Sequence, residues 1–287
     1  MLSLALAALL LQASDPLELR TVTVVATDAK GAPVRGLTAA DAVVLENGVA
    51  REVVELSLDT RPLTLAVLVD TSAPMATPFR LLVADAVTQF LNRLPEGTRF
   101  AVWATGDRPT KVADFGTDPG LASSALKRAF PSGGNTLLDA LVEASEDLRK
   151  REGDRAVVVA VTGAGIGFSG WDRFQVVDRA KASRAQFMAV QYEETGASDV
   201  QGDGVDQVGR REYDFVLGRL TQETGGRLER SLSAHGVGKA LEAVAAELSG
   251  QYRVSYRSLP SPKDRKRTVE VKVSRAGVKV RVGPAKP

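Results

Sequence analysis

The amino-acid sequence predicts an α/β protein: an open, doubly wound, mostly parallel sheet with a small β-sandwich beside it. The first observation is the aliphatic run Leu63–Val69, which is typical of a strand buried on both faces. The second is the alternation of strand and helix patterns that continues from this run to about residue 250. The third is that strands with one apolar face stand before and after the alternation, which indicates a separate β unit.

The strand Leu63–Val69 and the segments that follow it form the centre of the predicted sheet. The strand ends in Asp70-Thr71-Ser72, so a carboxylate and a hydroxyl lie at the edge where open α/β sheets bind ligands. Apolar residues then recur at helical spacing until Pro95-Glu96-Gly97, and they are Phe79, Leu82, Val83, Ala86, Val87, Phe90, Leu91 and Leu94. We therefore expect a strand, a polar loop and a helix in this order.

The rest of the alternation supplies the other elements of the sheet. Strands are predicted at Arg99–Thr105, Thr110–Phe115, Ala156–Val161, Gln186–Gln191 and Arg227–Arg230. Helices are predicted at Pro119–Phe130, Leu137–Arg149, Arg173–Ser183, Glu212–Thr224 and Val237–Leu248. The first two strands are too close in sequence for a helical crossover, so they should pair antiparallel.

The segment Glu193–Arg211 is polar and has no period, and we interpret it as an irregular loop. Asp199, Asp203 and Asp206 around two glycines weakly resemble a calcium loop, but the irregular interpretation is favoured.

Both ends of the chain carry one-sided strands. Residues 15–60 contain alternating valines and an Asn47-Gly48 pair, which predicts a hairpin turn with Val53, Leu56 and Leu58 in its return strand. Residues 251–287 begin with the strand Tyr252–Tyr256, and two valine-alternating runs then predict a hairpin over Val269–Val282. A lone hairpin is only marginally stable in water, so we expect both ends to pack together as one small β-sandwich.

The motif Asp70-Thr71-Ser72-Ala73-Pro74 resembles the Asp-x-Ser-x-Ser motif of von Willebrand factor A (VWA) domains. The segments Leu37–Asp41 and Leu45–Gly48 resemble, in order and spacing, the segments that precede the VWA core in the VWFA-related family of secreted bacterial proteins. The resemblance implies a VWA-like domain at 61–250 with a β segment at 15–60 before it. Residues 251–287 follow the domain and are expected to pack against the 15–60 segment. It also implies a protein-binding role at the carboxyl edge of the sheet.

The same resemblance implies a metal-ion-dependent adhesion site, in which three loops supply oxygen ligands to magnesium and the partner adds a carboxylate. Asp70 and Ser72 match its first loop, but Pro74 has no side-chain oxygen. Asn135 stands at the second-loop threonine with Thr136 one step late, and Gly163 replaces the third-loop aspartate. We therefore predict a degenerate site with at most weak magnesium binding and no other cofactor. The expected partner-binding residues are Asp70, Ser72, Asn135, Thr136 and Gly163.

Composition excludes several classes of function. The 37 basic and 35 acidic residues nearly balance, and the basic run Lys263–Arg267 is interpreted as a solvated turn, so no nucleic-acid partner is expected. There is no cysteine and only one histidine, His235, which excludes thiol chemistry and any mechanism that needs two imidazoles.

The apolar block Leu2–Leu11, followed by Gln12-Ala13-Ser14, predicts a signal peptide over residues 1–14 and a secreted or periplasmic location. A buried apolar start is the alternative. No membrane-spanning segment is expected after signal removal, and the sequence does not predict an oligomeric state.

Three enzyme motifs are incomplete. Phe168 interrupts a dinucleotide loop, and Trp171 interrupts a nucleophile-elbow motif around Ser169. Asp70 could imitate an aspartyl phosphatase nucleophile, but Ser72 stands where that chemistry places a second acid. We therefore predict a non-enzymatic binding module for an unidentified protein. A magnesium-dependent adhesion module and a vestigial phosphatase-like enzyme are the alternatives.

Overall fold

The computed structural model describes residues 17–151, 155–163, 167–193, 204–259 and 267–284. The predicted signal peptide, the residues Asp199 and Asp203 and most of the basic run Lys263–Arg267 lie outside these ranges. None of the described helices is both long enough and apolar enough to cross a membrane.

The strands are β1 (Glu18–Thr27), β2 (Ala42–Glu46), β3 (Val49–Arg51), β4 (Val53–Leu58), β5 (Leu63–Val69), β6 (Arg99–Thr105), β7 (Pro109–Gly116), β8 (Arg155–Gly163), β9 (Gln186–Tyr192), β10 (Arg227–Ser231), β11 (Tyr252–Ser258), β12 (Val269–Val273) and β13 (Lys279–Val282). The helices are α1 (Ala76–Pro78), α2 (Ala84–Asn92), α3 (Pro119–Lys127), α4 (Leu137–Arg149), α5 (Arg173–Ala182), α6 (Gly204–Glu223) and α7 (Ala234–Leu248). Short 3₁₀ turns occupy Ala39–Asp41 and Ala73–Met75, and a π-helical turn, Phe79–Val83, joins α1 to α2.

The central sheet confirms the predicted fold class. Its six strands run in the order β10-β9-β8-β5-β6-β7, and every pair is parallel except β6 with β7. All seven residues of β5 are buried, which explains why this strand is aliphatic at every position except Thr64. The chain leaves β5 toward β6 and returns to the other side at β8, so the carboxyl ends of β5 and β8 flank the crevice where such sheets bind ligands.

The two faces of the sheet carry separate hydrophobic layers. On one face, Leu65 and Val67 of β5 pack in a cluster with residues of α2, α3 and α7. On the other face, Ala66 and Leu68 share a cluster with α4, α5 and α6. Alternate residues of one strand therefore serve opposite layers, as the pleat requires.

Strands from the two chain ends form two antiparallel sheets, β13-β1-β11-β4 and β12-β2-β3. Their common core includes Val22, Val24, Val44, Tyr252, Val254, Tyr256 and Val271. The β2–β3 turn has positive φ at both Asn47 (51°) and Gly48 (79°), as an Asn-Gly hairpin turn requires.

Two details of this β unit were predicted wrongly. The strands β12 and β13 do not form a hairpin, because β12 pairs with β2 and β13 pairs with β1 in the other sheet. The expected return strand after Gly48 is likewise split, since β3 pairs with β2 and β4 pairs with β11. Alternation of apolar and polar residues shows which side of a strand is apolar but not which strand it pairs with. The predicted hairpin and the observed pairing turn the same valines toward a core, so the pattern does not distinguish them.

A third correction concerns the segment Glu193–Arg211. Helix α6 begins at Gly204, so residues 204–211 are helical rather than an irregular loop. The buried apolar face of α6 includes Tyr213, Val216, Leu217 and Leu220, so hydrophobic periodicity marked only the second half of the helix.

The β unit is attached at the amino edge of the central sheet through Arg155, which is only 6% exposed. Its guanidinium donates to the carbonyl oxygens of Asp59 (2.6 Å) and Leu248 (2.9 Å) and to Oε1 of Gln251 (2.7 Å). It also forms an ion pair with the Asp59 carboxylate at 3.3 Å. Arg155 therefore joins β8 to residues that lead into β5 and β11.

Candidate functional site

Asp70 directly follows β5 and lies at the carboxyl edge of the sheet with only 1% of its surface exposed. Its Oδ1 accepts a hydrogen bond from the backbone N–H of Ser72 at 2.9 Å. Its Oδ2 accepts from Nδ2 of Asn135 (2.7 Å), the backbone N–H of Gly163 (2.8 Å) and Oγ1 of Thr162 (3.3 Å). The carboxylate thus joins the loops that follow β5 and β8 to the loop before α4.

Asn135 turns an amide nitrogen, not an oxygen, toward Asp70. The backbone N–H of Leu137 donates to the Asn135 side chain at 3.0 Å. Because an N–H can only donate, this contact assigns the accepting atom as Oδ1. Oδ1 also accepts from Oγ1 of Thr105 at 2.8 Å, and Nδ2 donates to Asp70 and to Oγ1 of Thr162 (2.8 Å).

The backbone carbonyl of Asn135 connects the same loop to α6. It accepts the hydroxyl of Tyr213 at 2.6 Å and the N–H of Phe168 at 2.9 Å. Gly167 is needed for this approach, because a Cβ there would lie 2.7 Å from the Tyr213 hydroxyl oxygen. Sequence reasoning missed Tyr213, since a tyrosine on an apolar helix face gives no sign of what its hydroxyl binds.

Thr136 points away from Asp70. Its Oγ1 donates to the carbonyl oxygen of Gly106 at 3.1 Å, and its N–H donates to the carbonyl of Thr105 at 3.0 Å. The sequence left Asn135 and Thr136 open as alternatives for one inward-facing oxygen. The structure brings Asn135 to Asp70 and uses Thr136 to hold the loop against the end of β6.

Ser72, Met75 and Gly163 complete the surroundings of Asp70. The Ser72 hydroxyl is buried and has no hydrogen-bond partner among the described residues. Met75 is buried, and its sulfur fills the space beside Gly163, so that a Cβ at position 163 would overlap it. Met75 is therefore a site residue that the motif comparison did not identify, because it lies just past the motif.

Burial raises the pKa of the Asp70 carboxyl above its ordinary value, and the hydrogen bonds from the backbone N–H groups of Ser72 and Gly163 and from the Thr162 hydroxyl oppose this rise. Within the described part of the chain, no group of three or more acidic or histidine side chains is arranged to hold a metal ion. The hydrogen-bond donors that stabilise the charge of Asp70 are uncharged amide and hydroxyl groups.

The geometry does not bring the incomplete enzyme motifs together. The hydroxyl of Ser169 contacts Oδ1 of Asp139 at 3.3 Å. His235 lies in the first turn of α7, and α7 packs on the opposite face of the sheet from α4, which carries Asp139. Ser169 and His235 therefore do not form a nucleophile–base pair.

Residues 65–166 match the family model of the von Willebrand factor type A domain. The VWA match runs from β5 to just beyond β8 and so includes Asp70, Asn135 and Gly163. No curated protein matches the chain.

Solved structures with VWA folds also resemble this chain. The von Willebrand factor type A structure from Catenulispora acidiphila is 12% identical with a TM-score of 0.50, and the alignment covers 94% of this chain and 72% of that one. The SpRpn10 VWA domain is 17% identical (TM-score 0.47), with 66% of this chain and 98% of that domain covered. The manganese-loaded Plasmodium vivax TRAP protein is 16% identical (TM-score 0.47), with coverages of 82% and 98%. Identities this low show a common fold and do not transfer function.

Proposed function

We propose that this protein is a non-enzymatic, extracytoplasmic protein-binding module of VWA type that recognises its partner without a divalent ion. The observation that carries the proposal is the set of atoms around Oδ2 of Asp70. Two N–H donors, from Asn135 and Gly163, lie 2.7 and 2.8 Å from this oxygen. Both groups use Oδ2 as a hydrogen-bond acceptor, and neither can itself be a ligand of a cation.

Magnesium requires about six oxygen ligands in near-octahedral geometry and loses its water shell reluctantly. An N–H group cannot be a ligand, and the positive end of its dipole repels a cation. Pro74 supplies no side-chain oxygen, and Met75 fills the space beside Gly163 where a third-loop carboxylate would extend. The residues present therefore do not fit a magnesium ion, although the unpartnered Ser72 hydroxyl alone would suit one.

The arrangement supports protein binding in another way. Hydrogen bonds centred on Asp70 and Asn135 hold together the described parts of the loops at the carboxyl edge, while Ala73, Pro74 and Phe168 are exposed above them. Loops that are already ordered lose little conformational entropy when a partner binds. VWA domains are generally interaction modules, which agrees with this use of the edge.

The buried state of Asp70 also weighs against a phosphatase-like role. A nucleophilic carboxylate must reach a substrate phosphorus, but Asp70 is 1% exposed and both of its oxygens accept hydrogen bonds. No described observation favours this alternative.

The extracytoplasmic part of the proposal depends on the apolar block Leu2–Leu11. A mature protein that begins shortly after Ala13 in mass spectrometry would support export. An intact Met1 in cytosolic fractions would contradict it.

Isothermal calorimetry with magnesium and manganese tests the independence from metal. We expect no stoichiometric binding to the native chain. The variant Pro74→Ser/Asn135→Thr/Gly163→Asp restores the ligand types, but the carboxylate side chain introduced at position 163 should clash with Met75. Adding Met75→Ala should therefore be required for binding, and the variant that retains Met75 is the matched control.

Tight binding by the native chain that is abolished by Asp70→Ala would refute the proposal and establish a working adhesion site. Binding by the variant that retains Met75 would show that the methionine moves aside readily.

A further inference from the structure

A groove of about 310 Å³ lies beside the Asp70 network, between residues 167–173, the start of α4 and helix α6. Gly167 and Tyr213 are among its lining residues, and both also contact Asn135 or its loop. The groove is therefore continuous with the surface for which partner binding is proposed, and the inference that follows depends on that proposed function.

The walls of the groove are aromatic. Phe168 is 56% exposed, and Trp171 is partly exposed. The guanidinium of Arg179 lies 4.1 Å from the centre of the Trp171 ring. The Arg179 guanidinium covers part of the indole, so the exposed ring of Phe168 is the aromatic surface that is open to a further cationic side chain.

Three carboxylates lie at the groove, and the two guanidinium groups beside it, those of Arg173 and Arg179, are already paired with Glu212 and Glu146. Asp172 and Glu212 line it, and Asp139 lies at its rim, where it accepts from the N–H of Gly170 at 3.1 Å. Arg173 is the one cation among the described lining residues, and it is already paired with Glu212 at 3.3 Å and stacked 4.6 Å from the Phe215 ring centre. Asp139 and Asp172 accept hydrogen bonds from backbone N–H groups and form no ion pair with another described residue.

We infer that this groove binds an arginine or lysine side chain of the partner protein. The aliphatic part of that side chain would pack against Phe168 and Trp171, and its charge would lie near Asp139 and Asp172. Charge complementarity selects a basic segment, because an acidic one would meet carboxylates and a purely apolar one would leave them without a counter-charge. Aromatic and arginine contacts of this kind often dominate the energy of an interface.

A displayed library of random linear peptides, selected on the full chain in EDTA, supplies a defined probe. We expect enrichment of peptides in which a basic residue stands beside an apolar one. A synthetic copy of a selected peptide is then compared with a copy in which citrulline, which is similar in shape but uncharged, replaces arginine. Binding is followed by the fluorescence of Trp171, because the other tryptophan, Trp103, is 1% exposed.

The citrulline peptide should bind about five- to thirtyfold more weakly than the arginine peptide. The variants Phe168→Ala and Asp139→Asn should weaken the arginine peptide to a similar degree. Asn at position 139 retains an oxygen for the Gly170 N–H, so this variant removes charge with little effect on the loop. The matched control is Asp85→Asn, whose carboxylate on α2 is exposed and pairs with Lys127, and this variant should leave affinity unchanged.

The other outcomes separate the two proposals. Peptides without basic residues that are nevertheless weakened by Phe168→Ala would overturn the inference and leave the proposed binding surface in place. Peptides that bind equally well to wild type, to Phe168→Ala and to a Pro74→Arg variant would overturn both. A selection that enriches nothing would overturn the groove as a peptide site.

Discussion

The two edges of the central sheet each bury a charge, and they stabilise it in different ways. At the amino edge, Arg155 faces a carboxylate and the carbonyl oxygens of Asp59 and Leu248. At the carboxyl edge, Asp70 faces amide and hydroxyl donors, and its hydrogen bonds with described residues include none from a cation. The amino edge joins the β unit to the VWA-like sheet, whereas the carboxyl edge joins loops of that sheet to each other.

This difference indicates a division of labour between the edges. An ion pair with several further hydrogen bonds suits a joint between distant segments, because removing one partner leaves buried groups unsatisfied. A carboxylate held by uncharged donors instead fixes the shape of short loops, since its donors come from three separate segments of the chain. We therefore expect changes at the amino edge to affect the whole fold and changes at the carboxyl edge to affect the binding surface more.

The largest expected effect follows from Arg155→Met. Methionine retains part of the side-chain volume but leaves the carbonyl oxygens of Asp59 and Leu248 and the amide oxygen of Gln251 without this donor. Asp59 keeps Arg61 as a partner at 2.6 Å, so we expect a loss of about 3 kcal/mol in the free energy of unfolding, the lower end of the range for a broken buried pair. Urea unfolding measures it.

Arg93→Met is the matched control, because Arg93 is exposed and its pair with Glu242 at 2.9 Å lies on the surface. Equal effects of the two substitutions would contradict a special role for the amino edge.

The second prediction contrasts the pH dependence of the two buried carboxylates. Burial raises the pKa of Asp70, whereas at Asp59 the hydrogen bond from Arg61 and the charges of Arg155 and Arg61 overcome burial and lower the pKa. A raised pKa contributes stability that is lost as pH increases through the folded-state value, and a lowered pKa contributes stability that is lost as pH decreases. The stability contributed by Asp70 should therefore be lost above pH 3.8, the ordinary pKa of the carboxyl group, as the pH increases. The stability contributed by Asp59 should be lost below pH 3.8 as the pH decreases.

The variants Asp70→Asn and Asp59→Asn test this contrast in unfolding experiments at several pH values. Asparagine has only one side-chain oxygen, so at position 70 it leaves either the Ser72 or the Gly163 N–H group without its acceptor. We therefore expect a loss of about 1–3 kcal/mol in the free energy of unfolding. That loss should be larger in acid than at neutral pH, whereas the loss for Asp59→Asn should be larger at neutral pH. The same pH trend for both variants would remove the electrostatic distinction between the edges.

The sequence predicted the fold better than it predicted the site. The aliphatic run of β5 and the short connection before β7 fix the centre and one edge of the sheet, since burial and loop length leave few alternatives. The pairing of β12 and β13 could not be read in this way, because alternation does not specify a partner strand. At the site, the spacing placed Asp70 and Asn135 at one edge, but the orientation of the Asn135 amide depends on the N–H of Leu137. Met75 and Tyr213 lie outside any motif, and only the three-dimensional packing brings them to these loops.

The smallest expected effect follows from Tyr213→Phe, which tests how the carboxyl edge is connected to α6. The substitution removes one hydroxyl that donates to the carbonyl of Asn135, while the N–H of Phe168 continues to donate to the same oxygen. A loss of about 0.5–1.5 kcal/mol is expected, as for a single hydrogen bond whose acceptor keeps another partner. Hydrogen exchange locates the effect: the amides of Phe168 and Leu137 should exchange faster, while that of Val67 in β5 should change only as much as global stability does. Uniform acceleration at all three amides would mean that Tyr213 stabilises the fold as a whole and does not hold the binding loops in particular.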